Sequence, residues 1–213
     1  AVMSHEIRTP LNGIQGLATL LLDTQLSDKQ HQYASDLKSS ASILATVIND
    51  VLDLSKIESG MSEVDVTEFD LDAMLNDLIT LLGTNASANS TRLVYKSKNM
   101  ESVAVTSDIT KLRQIIINLV SNAIKFTHKG TVTISAKLKQ PSQDTVSENH
   151  LVIAVKDTGI GIEPDRLEHI FDKFTQSDSS ITRKYGGTGL GLAIAKQLAQ
   201  ILGGDIKKTL MIG

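Results

Sequence analysis

Apolar residues near the amino terminus recur at the spacing of an amphipathic helix. They alternate four and three residues apart, at Ile7, Leu11, Ile14, Ala18 and Leu21. After a polar connector over residues 25–30, a second stripe follows at Leu37, Leu44, Ile48 and Val51. Two helices joined by a short connector predict an antiparallel hairpin. Because such a hairpin cannot bury both stripes, we expect two chains to form a four-helix bundle as a homodimer.

A change of pattern near residue 60 predicts a domain boundary. The helical period breaks at Glu58-Ser-Gly60, and the residues beyond it mix β-rich and helical segments. We therefore expect a helical domain over residues 1–60 and an α+β domain over residues 61–213. The predicted strands are Arg92–Lys96, Val103–Thr106, Thr131–Leu138 and Leu151–Asp157, and the predicted helices are Leu71–Leu82, Asp108–Phe126, Pro164–Phe174 and Gly189–Leu202. Residues 140–149 are predicted to form an exposed hairpin loop.

Composition narrows the class of protein. The 213 residues are 41% hydrophobic, which is enough to build a globular core. The absence of cysteine excludes disulfides and thiolate zinc sites. A formal net charge of −3 gives no general electrostatic reason to bind nucleic acid, so no such partner is expected. No apolar run reaches the roughly 20 residues of a membrane-spanning helix, so we expect no direct membrane contact from this stretch.

His5 is the strongest candidate for chemistry and lies in Ser-His-Glu-Ile-Arg-Thr-Pro-Leu-Asn, residues 4–12. On an ideal helix it lies about 200° around the axis from Ile7, so it points away from the apolar stripe. A neutral imidazole with a pKa of about 6.5 is a nucleophile, and Glu6 beside it can accept the proton. Thr9 follows one turn later on the same face, where its hydroxyl can hold a water molecule. Pro10 cannot donate to the carbonyl of Glu6, so we expect the helix to bend there.

An isolated histidine is more often an ordinary surface residue, and His5 taken alone fits that interpretation. The residues that flank it and the polar motifs further along the chain favour a phosphate acceptor instead. The other histidines lack such neighbours and have no convincing metal-ligand spacing, so they are predicted to be structural: His31, His128, His150 and His169.

Two asparagines on the predicted helix Asp108–Phe126 form a second candidate site. Asn118 and Asn122 are four residues apart, so they share a face and can present amide oxygens to a hydrated Mg²⁺ ion. Lys125 follows about one turn later and can meet a phosphate group. Either asparagine alone could simply cap or pack, but two on one face favour a polar ligand.

Asp157 ends a predicted strand and is followed by Thr158, Gly159 and, two residues later, Gly161. Its carboxylate is therefore held where the chain turns sharply. A carboxylate fixed there can accept a hydrogen bond from the exocyclic amine of adenine, and the glycines would let the backbone approach the base. Asp-Thr-Gly alone also fits an ordinary turn or half of an aspartic protease site. Its position after the paired asparagines favours adenine.

A glycine-rich segment precedes the last predicted helix. Its backbone amides and the helix N-terminus can face phosphate. The candidate residues are Gly187, Thr188, Gly189, Leu190 and Gly191. The spacing is not the dinucleotide-binding Gly-x-Gly-x-x-Gly, and no Walker A lysine is present. Residues 175–185 have few apolar anchors and include Arg183 and Lys184, which predicts a mobile lid over a nucleotide.

Together these motifs resemble the sensor histidine kinases of two-component systems over nearly the whole chain. Residues 4–11 are similar to the family's H box, 118–126 to its N box, 157–161 to its G1 box, 170–174 to its F box and 187–191 to its G2 box. The sequence around the H box is most similar to that of hybrid kinases. The resemblance implies a helical hairpin that forms a dimeric four-helix bundle. It also implies an α/β sandwich ATP-binding domain of the Bergerat (GHKL) type, shared with gyrase, Hsp90 and MutL.

For the reacting groups, the resemblance implies that His5 accepts the γ-phosphoryl group of ATP. Glu6 would act as the base, and Thr9 would serve a phosphatase reaction. The phosphoryl group would then pass to an aspartate on a response-regulator receiver domain. The chain begins four residues before His5, so we expect it to be the cytoplasmic portion of a longer, membrane-bound sensor whose sensing region lies upstream.

For the nucleotide, the resemblance implies that Asn122 with Asn118 binds Mg²⁺ and that Asp157 reads adenine. Lys125 and the lid would contact phosphates, and Phe126 would contribute apolar surface against the base. The chain departs from the family pattern in the short helix before His5 and in the missing closing strands after residue 204. The alternatives are a degenerate kinase that holds ATP as a dimeric scaffold, and an ATPase clamp, which leaves the H box unexplained.

Overall fold

The computed structural model describes residues 2–97, 103–139, 150–175 and 188–208, with side chains from residue 6 onward. These residues form two compact units. The first contains the residues up to 62 together with 188–190, and the second contains the described residues from 63 to 175 and from 191 to 208. The division into domains 1–60 and 61–213 stays a prediction, because residues 188–190 group with the helices.

The first unit is an α-helical hairpin. Helix α1 spans Val2–Leu22 and helix α2 spans Asp28–Glu58. Before α2, the Oε1 atom of Gln30 accepts a hydrogen bond from the backbone N–H of Ser27 at 3.0 Å, as in a capping box. Across the hairpin, Arg8 Nη2 donates to Asn49 Oδ1 at 3.2 Å. The predicted hairpin is present, and Pro10 lies inside α1 without interrupting it.

Only part of the apolar stripe is covered within one chain. The buried residues of the hairpin are Leu11, Ala18, Ala34, Ala41 and Leu54. By contrast, Ile7, Ile14 and Leu21 are 42%, 42% and 47% exposed. Further exposed apolar residues of the two helices are Leu17, Leu20, Leu37, Ile43, Leu44 and Val51. Packing α1 on α2 therefore leaves an apolar surface uncovered, as the sequence pattern predicts.

The second unit is a mixed α/β domain. Its strands are β1 (Thr67–Asp70), β2 (Arg92–Ser97), β3 (Ala104–Ser107), β4 (Thr131–Lys139) and β5 (His150–Asp157). Its helices are α3 (Leu71–Ala88), α4 (Ile109–Phe126) and α5 (Gly191–Ile201), with a short 3₁₀ turn at Leu167–His169. Strand β4 pairs in parallel with β2 and antiparallel with β5, so the three form a mixed sheet, whereas β1 and β3 form a separate antiparallel pair.

The core of the second unit lies between one face of the sheet and helices α3 and α4. Along β4, Val132, Ile134 and Ala136 are buried while the residues between them are less so, which makes one face of the strand apolar. Helical residues in the same core include Leu71, Met74, Leu75, Leu78, Ile116 and Val120. Helix α4 also packs against α5. This packing supports α4, on which several candidate site residues lie.

One predicted helix is absent from the structure, one observed strand was not predicted, and one predicted loop lies outside the described residues. The predicted helix Pro164–Phe174 is wrong, because only the 3₁₀ turn at Leu167–His169 forms and Phe174 has a left-handed φ of 60°. Strand β1 was not predicted. The predicted loop over residues 140–149 falls outside the described residues. No helix among the described residues is long and apolar enough to cross a lipid bilayer.

Asp108 caps α4 and ties the preceding linker to it. Its Oδ1 accepts from Lys111 N at 2.9 Å, and its Oδ2 accepts from Lys111 Nζ at 2.7 Å and from Asp65 N at 3.1 Å. Burial acts to raise the pKa of this carboxyl. The hydrogen bonds from Lys111 and Asp65, together with the Lys111 charge, outweigh burial, so the pKa lies below its ordinary value.

Asp108→Asn is expected to destabilise the second unit by roughly 1–3 kcal/mol near neutral pH, because it removes a buried charged acceptor. A carboxyl whose folded-state pKa is depressed contributes stability above its ordinary pKa, and this contribution is lost as pH falls through the folded-state value. The difference between the two proteins should therefore be largest at about pH 7 and should vanish in strong acid, which urea unfolding at several pH values measures.

Asp77→Asn is the matched control for that measurement. Asp77 pairs with Arg113 at 3.2 Å on the surface, and exposed pairs are worth about 0–1 kcal/mol. If the Asp108→Asn deficit were the same at all pH values, the charge would not be its cause.

Candidate functional site

The candidate acceptor His5 lies near the start of α1, and its backbone is helical. Its side chain is outside the described part of the residue. On the same helix, Glu6 and Thr9 are both exposed. The predicted base and the predicted water-holding hydroxyl are therefore accessible to a substrate.

Helix α4 carries four candidate residues of the nucleotide site: Asn118, Asn122, Lys125 and Phe126. The Nδ2 atom of Asn118 is buried and has no hydrogen-bond partner among the described residues. A Cβ built on Gly191, the first residue of α5, would lie 3.8 Å from Asn118 Cγ. The start of α5 therefore packs against this amide.

The orphaned amide of Asn118 tests whether a metal would fit here. The unpartnered Nδ2 atom is a hydrogen-bond donor and cannot bind a cation, whereas the oxygen of an asparagine amide is a ligand that Mg²⁺ takes. Asn122 is half-buried on the same face. Among the described residues, no group of three or more histidines and carboxylates could hold a metal ion. The amide oxygens of the pair on α4 are of the kind that Mg²⁺ binds, so Asn118 and Asn122 stay candidates for holding the ion.

Lys125 and Phe126 meet at the carboxyl end of α4. The Lys125 Nζ atom lies 4.8 Å from the centre of the Phe126 ring, which is within the range of a cation–π contact. Burial lowers the pKa of Lys125, because the charged form loses hydration. A cation in this partly apolar setting can attract a phosphate group more strongly than one in bulk water.

Asp157 is the last residue of β5 and is exposed. Its Oδ1 accepts a hydrogen bond from Gly159 N at 2.9 Å, which fixes the carboxylate on the turn that follows. Two hydrogen bonds between Thr158 and Thr131 hold this turn in place. The Thr158 N–H donates to Thr131 O at 3.1 Å, and Thr158 Oγ1 accepts from Thr131 N at 3.0 Å. The second carboxylate oxygen takes no part in these bonds and can accept from a ligand.

The two glycines of this turn, predicted to let the backbone approach the base, are also required by the fold. A Cβ on Gly159 would overlap Phe126 O and lie 2.9 Å from the Phe126 carbonyl carbon, so α4 leaves no room for a side chain there. Gly161 has a φ of 73° and no atom within 4 Å of a built Cβ. It is required by its backbone conformation.

The glycine-rich segment is described from residue 188, so the candidates Gly187, Arg183 and Lys184 lie outside the described residues. In the first unit, Thr188 Oγ1 donates to Asp50 Oδ2 at 2.7 Å and accepts from Leu190 N at 3.1 Å. Gly189 has a φ of 71°, and Leu190 is fully buried. The hydroxyl of Thr188 is thus bound to a carboxylate of α2, a contact that spans 138 positions of sequence.

Asp50 was not among the predicted site residues. Burial raises the pKa of its carboxyl, and the nearby Asp53 charge adds to that effect, while the hydrogen bond from Thr188 opposes both. The sequence carried no signal for this pairing, because Asp50 lies on a polar position of a long helix.

Two family models match separate parts of the chain. Residues 1–60 match the His Kinase A (phospho-acceptor) domain, and residues 107–210 match the histidine kinase-, DNA gyrase B-, and HSP90-like ATPase. The first includes His5, and the second includes the paired asparagines, the Asp157 turn and the glycine-rich segment. The chain belongs to the histidine kinase family.

Known histidine kinases match the sequence of this chain over nearly its full length. It is 44% identical to the sensor protein GacS of Pseudomonas syringae pv. syringae, over 97% of the chain and 22% of GacS. It is 41% identical to the hybrid signal transduction histidine kinase L of Dictyostelium discoideum, over 94% of the chain and 12% of that protein. The chain thus spans about a fifth or less of the length of these relatives.

Among solved structures, the kinase is similar to full-length ShkA in complex with AMPPNP, with a TM-score of 0.74 and 32% identity. The match covers 95% of this chain and 40% of ShkA. The predicted fold class, a helical region followed by an ATP-binding α/β domain of the GHKL type, is confirmed by these matches and by the mixed sheet described above.

Proposed function

We propose that this kinase transfers the γ-phosphoryl group of ATP to His5 and then passes it to an aspartate of a response-regulator receiver domain. One observation carries the proposal: a phospho-acceptor helix with His5 and an ATPase-type domain with Asn118, Asn122 and Asp157 occur in the same chain.

The proposed chemical step is an in-line displacement. A nitrogen of the His5 imidazole attacks the γ-phosphorus of ATP, a new N–P bond forms, and the bond from that phosphorus to the β–γ bridging oxygen breaks, so ADP leaves. The imidazole proton passes to Glu6, the next residue in the sequence, which is exposed. In the second step, the carboxylate of the receiver aspartate attacks the same phosphorus and the N–P bond breaks.

The second unit would bind the nucleotide. Asp157 would accept a hydrogen bond from the adenine amine, Phe126 would pack against the base, and Lys125 would pair with a phosphate. Asn118 and Asn122 would hold Mg²⁺, which when bound supplies positive charge against the phosphates. Phosphoryl transfer depends mainly on positioning and charge, which is consistent with the small number of reactive groups.

The glycine-rich segment would supply backbone amides for the phosphates. Gly191 begins α5, where the first amides of the helix have no intrahelical acceptor. Thr188, Gly189 and Leu190 precede it. Gly187 of the same segment and the lid residues Arg183 and Lys184 would complete this part of the site.

We propose that the active form is a homodimer. The uncovered apolar residues of the hairpin, including Ile7, Ile14 and Leu21, support this, because a second hairpin would bury them in a four-helix bundle. Sedimentation equilibrium at several concentrations would measure the association. A monomer at every concentration tested would contradict the dimer.

The alternative proposal is a degenerate kinase that binds ATP as a dimeric scaffold. The presence of Glu6 beside His5 favours catalysis. The deciding experiment incubates the chain with Mg²⁺ and ATP labelled at the γ-phosphate and then tests the bound label with acid and base. Phosphohistidine is expected, with label that is lost in acid and kept in base. ATP binding without any bound label would favour the scaffold.

Thr9→Ala is expected to slow dephosphorylation of the regulator and to leave autophosphorylation of His5 within about twofold. The hydroxyl would position water for the phosphatase reaction, whereas His5 and Glu6 are unchanged by the substitution. Both rates are measured on one preparation with a cognate receiver domain. Thr9→Ser keeps the hydroxyl and is the control. If Thr9→Ala slowed both reactions equally, Thr9 would only support the helix.

A further inference from the structure

The carboxyl end of α4 is held by two polar side chains from the turn between α3 and β2. Asn89 Nδ2 donates to Ile124 O at 3.2 Å, and Thr91 Oγ1 donates to Thr127 O at 2.6 Å. Thr91 is buried, and Thr127 is fully buried. The last carbonyls of a helix lack intrahelical donors, and buried ones need a partner from elsewhere. This turn, which belongs to none of the sequence motifs, supplies two of them.

The carbonyl of Phe126 lies between these two and has a different partner. It accepts a hydrogen bond from Ile160 N at 3.2 Å, and Gly159 packs directly against it. The end of α4 is therefore bound on one side by the α3–β2 turn and on the other by the turn that carries Asp157. Lys125 and Phe126 lie between the two attachments.

The turn that follows α4 leaves little room for adjustment. A Cβ on Gly130 would lie 2.5 Å from Thr158 Oγ1 and 2.6 Å from Thr127 Cγ2, so the three residues are in close contact. Gly130 O also accepts from Arg92 N at 2.8 Å. Because this turn is closely packed against both β2 and the Asp157 turn, a shift of Thr127 would also shift the neighbouring site residues.

We propose that Thr91 is a positioning residue for the nucleotide site. Through the carbonyl of Thr127, its hydroxyl fixes the end of α4, so that Lys125 and Phe126 keep a set position relative to Asp157. The hydroxyl bonds to backbone carbonyls and to none of the candidate site residues, so it acts on the nucleotide only through α4. The inference rests on the proposed function, because it assumes that these residues bind ATP.

Thr91→Val tests the inference, because valine keeps the branched shape of threonine and removes the hydroxyl. The full chain is titrated with AMPPNP by calorimetry, at a temperature at which circular dichroism shows the variants to be folded. The dissociation constant is expected to rise about fivefold. A change of this size corresponds to the net free energy of about one hydrogen bond. Thr91→Ser keeps the hydroxyl and is expected to bind within about twofold of wild type.

Thr80→Val is the matched control on α3. The Thr80 hydroxyl donates to Asn76 O at 3.0 Å on an exposed face, so its loss removes a comparable bond that does not reach α4. Its AMPPNP affinity is expected to match that of wild type. Should Thr91→Val not fold, Thr91→Ala takes its place, with the same expected loss of affinity.

The outcomes separate the inference from the function on which it rests. Wild-type affinity in the folded Thr91→Val variant would overturn the positioning role, even if its melting temperature fell, since a purely structural bond changes stability and not the affinity of the folded protein. A wild-type chain that fails to bind AMPPNP would instead contradict the proposed function. Weaker binding in Thr91→Val with recovery in Thr91→Ser supports the inference.

Discussion

His5→Gln is expected to abolish phosphoprotein formation completely while ATP binding survives. The substitution removes the imidazole nitrogen that would form the N–P bond. The proposed nucleotide-binding residues Asn118, Asn122 and Asp157 lie in the second compact unit, so the substitution does not alter them. Incubation with γ-labelled ATP and Mg²⁺ measures the first activity, and titration with AMPPNP measures the second.

His31→Gln is the control for this measurement. His31 is an exposed residue of α2 in the same helical unit. The control therefore makes the same histidine-to-glutamine change at a position other than His5. It should leave labelling at the wild-type level. Label retained in His5→Gln would show that another residue accepts the phosphoryl group, and loss of AMPPNP binding in that variant would show that the substitution disturbs more than the acceptor.

Asp157→Asn is expected to weaken ATP binding at least tenfold. Asparagine keeps an oxygen that can accept from Gly159 N, so the turn after β5 should persist. The other carboxylate oxygen becomes an amide group, which replaces a charged acceptor with a donor opposite the adenine amine. Charge-assisted hydrogen bonds are worth roughly 1.5–3 kcal/mol, which corresponds to about ten- to 150-fold in affinity.

Calorimetry with AMPPNP and with adenosine would measure that loss. Both ligands carry adenine, so both should bind more weakly to Asp157→Asn. Asp165→Asn, at an exposed position in the same unit, makes the same change of charge and should bind both ligands as wild type does. Equal affinity of wild type and Asp157→Asn for both ligands would remove Asp157 from the site.

Local patterns predicted most elements of this fold because the signal lies within each element. Helix α4 begins one residue after its predicted start, Asp108, and ends at Phe126 as predicted. Strand β1 escaped prediction because it has four residues, of which only Phe69 is a half-buried apolar side chain. The apolar residues between Pro164 and Phe174 fall at helical spacing, but the exposed, left-handed Phe174 shows that no helix packs there.

Local motifs in the sequence supplied the candidate site residues, but the contacts of these residues could not be predicted from it. The glycine at 159 was noted from sequence, yet its contact with Phe126 joins segments that are far apart in the chain. Thr91 carried no signal at all, because one threonine before a strand is common. The pairing of Thr188 with Asp50 likewise depends on the fold and not on any local pattern. The spacing of residues in the sequence shows which side chains share a helix face. Which residues pack against that face depends on the tertiary structure.

The glycines at 159 and 161 set different limits on variation in a randomised library. At 159 the obstacle is space against the Phe126 carbonyl, so every side chain meets it, alanine included. At 161 the obstacle is the φ of 73° alone, because the surroundings are open. A left-handed backbone costs most residues roughly 1–2 kcal/mol but is tolerated by asparagine and aspartate. Selection for folded protein would therefore keep only glycine at 159 and recover glycine, asparagine and aspartate at 161.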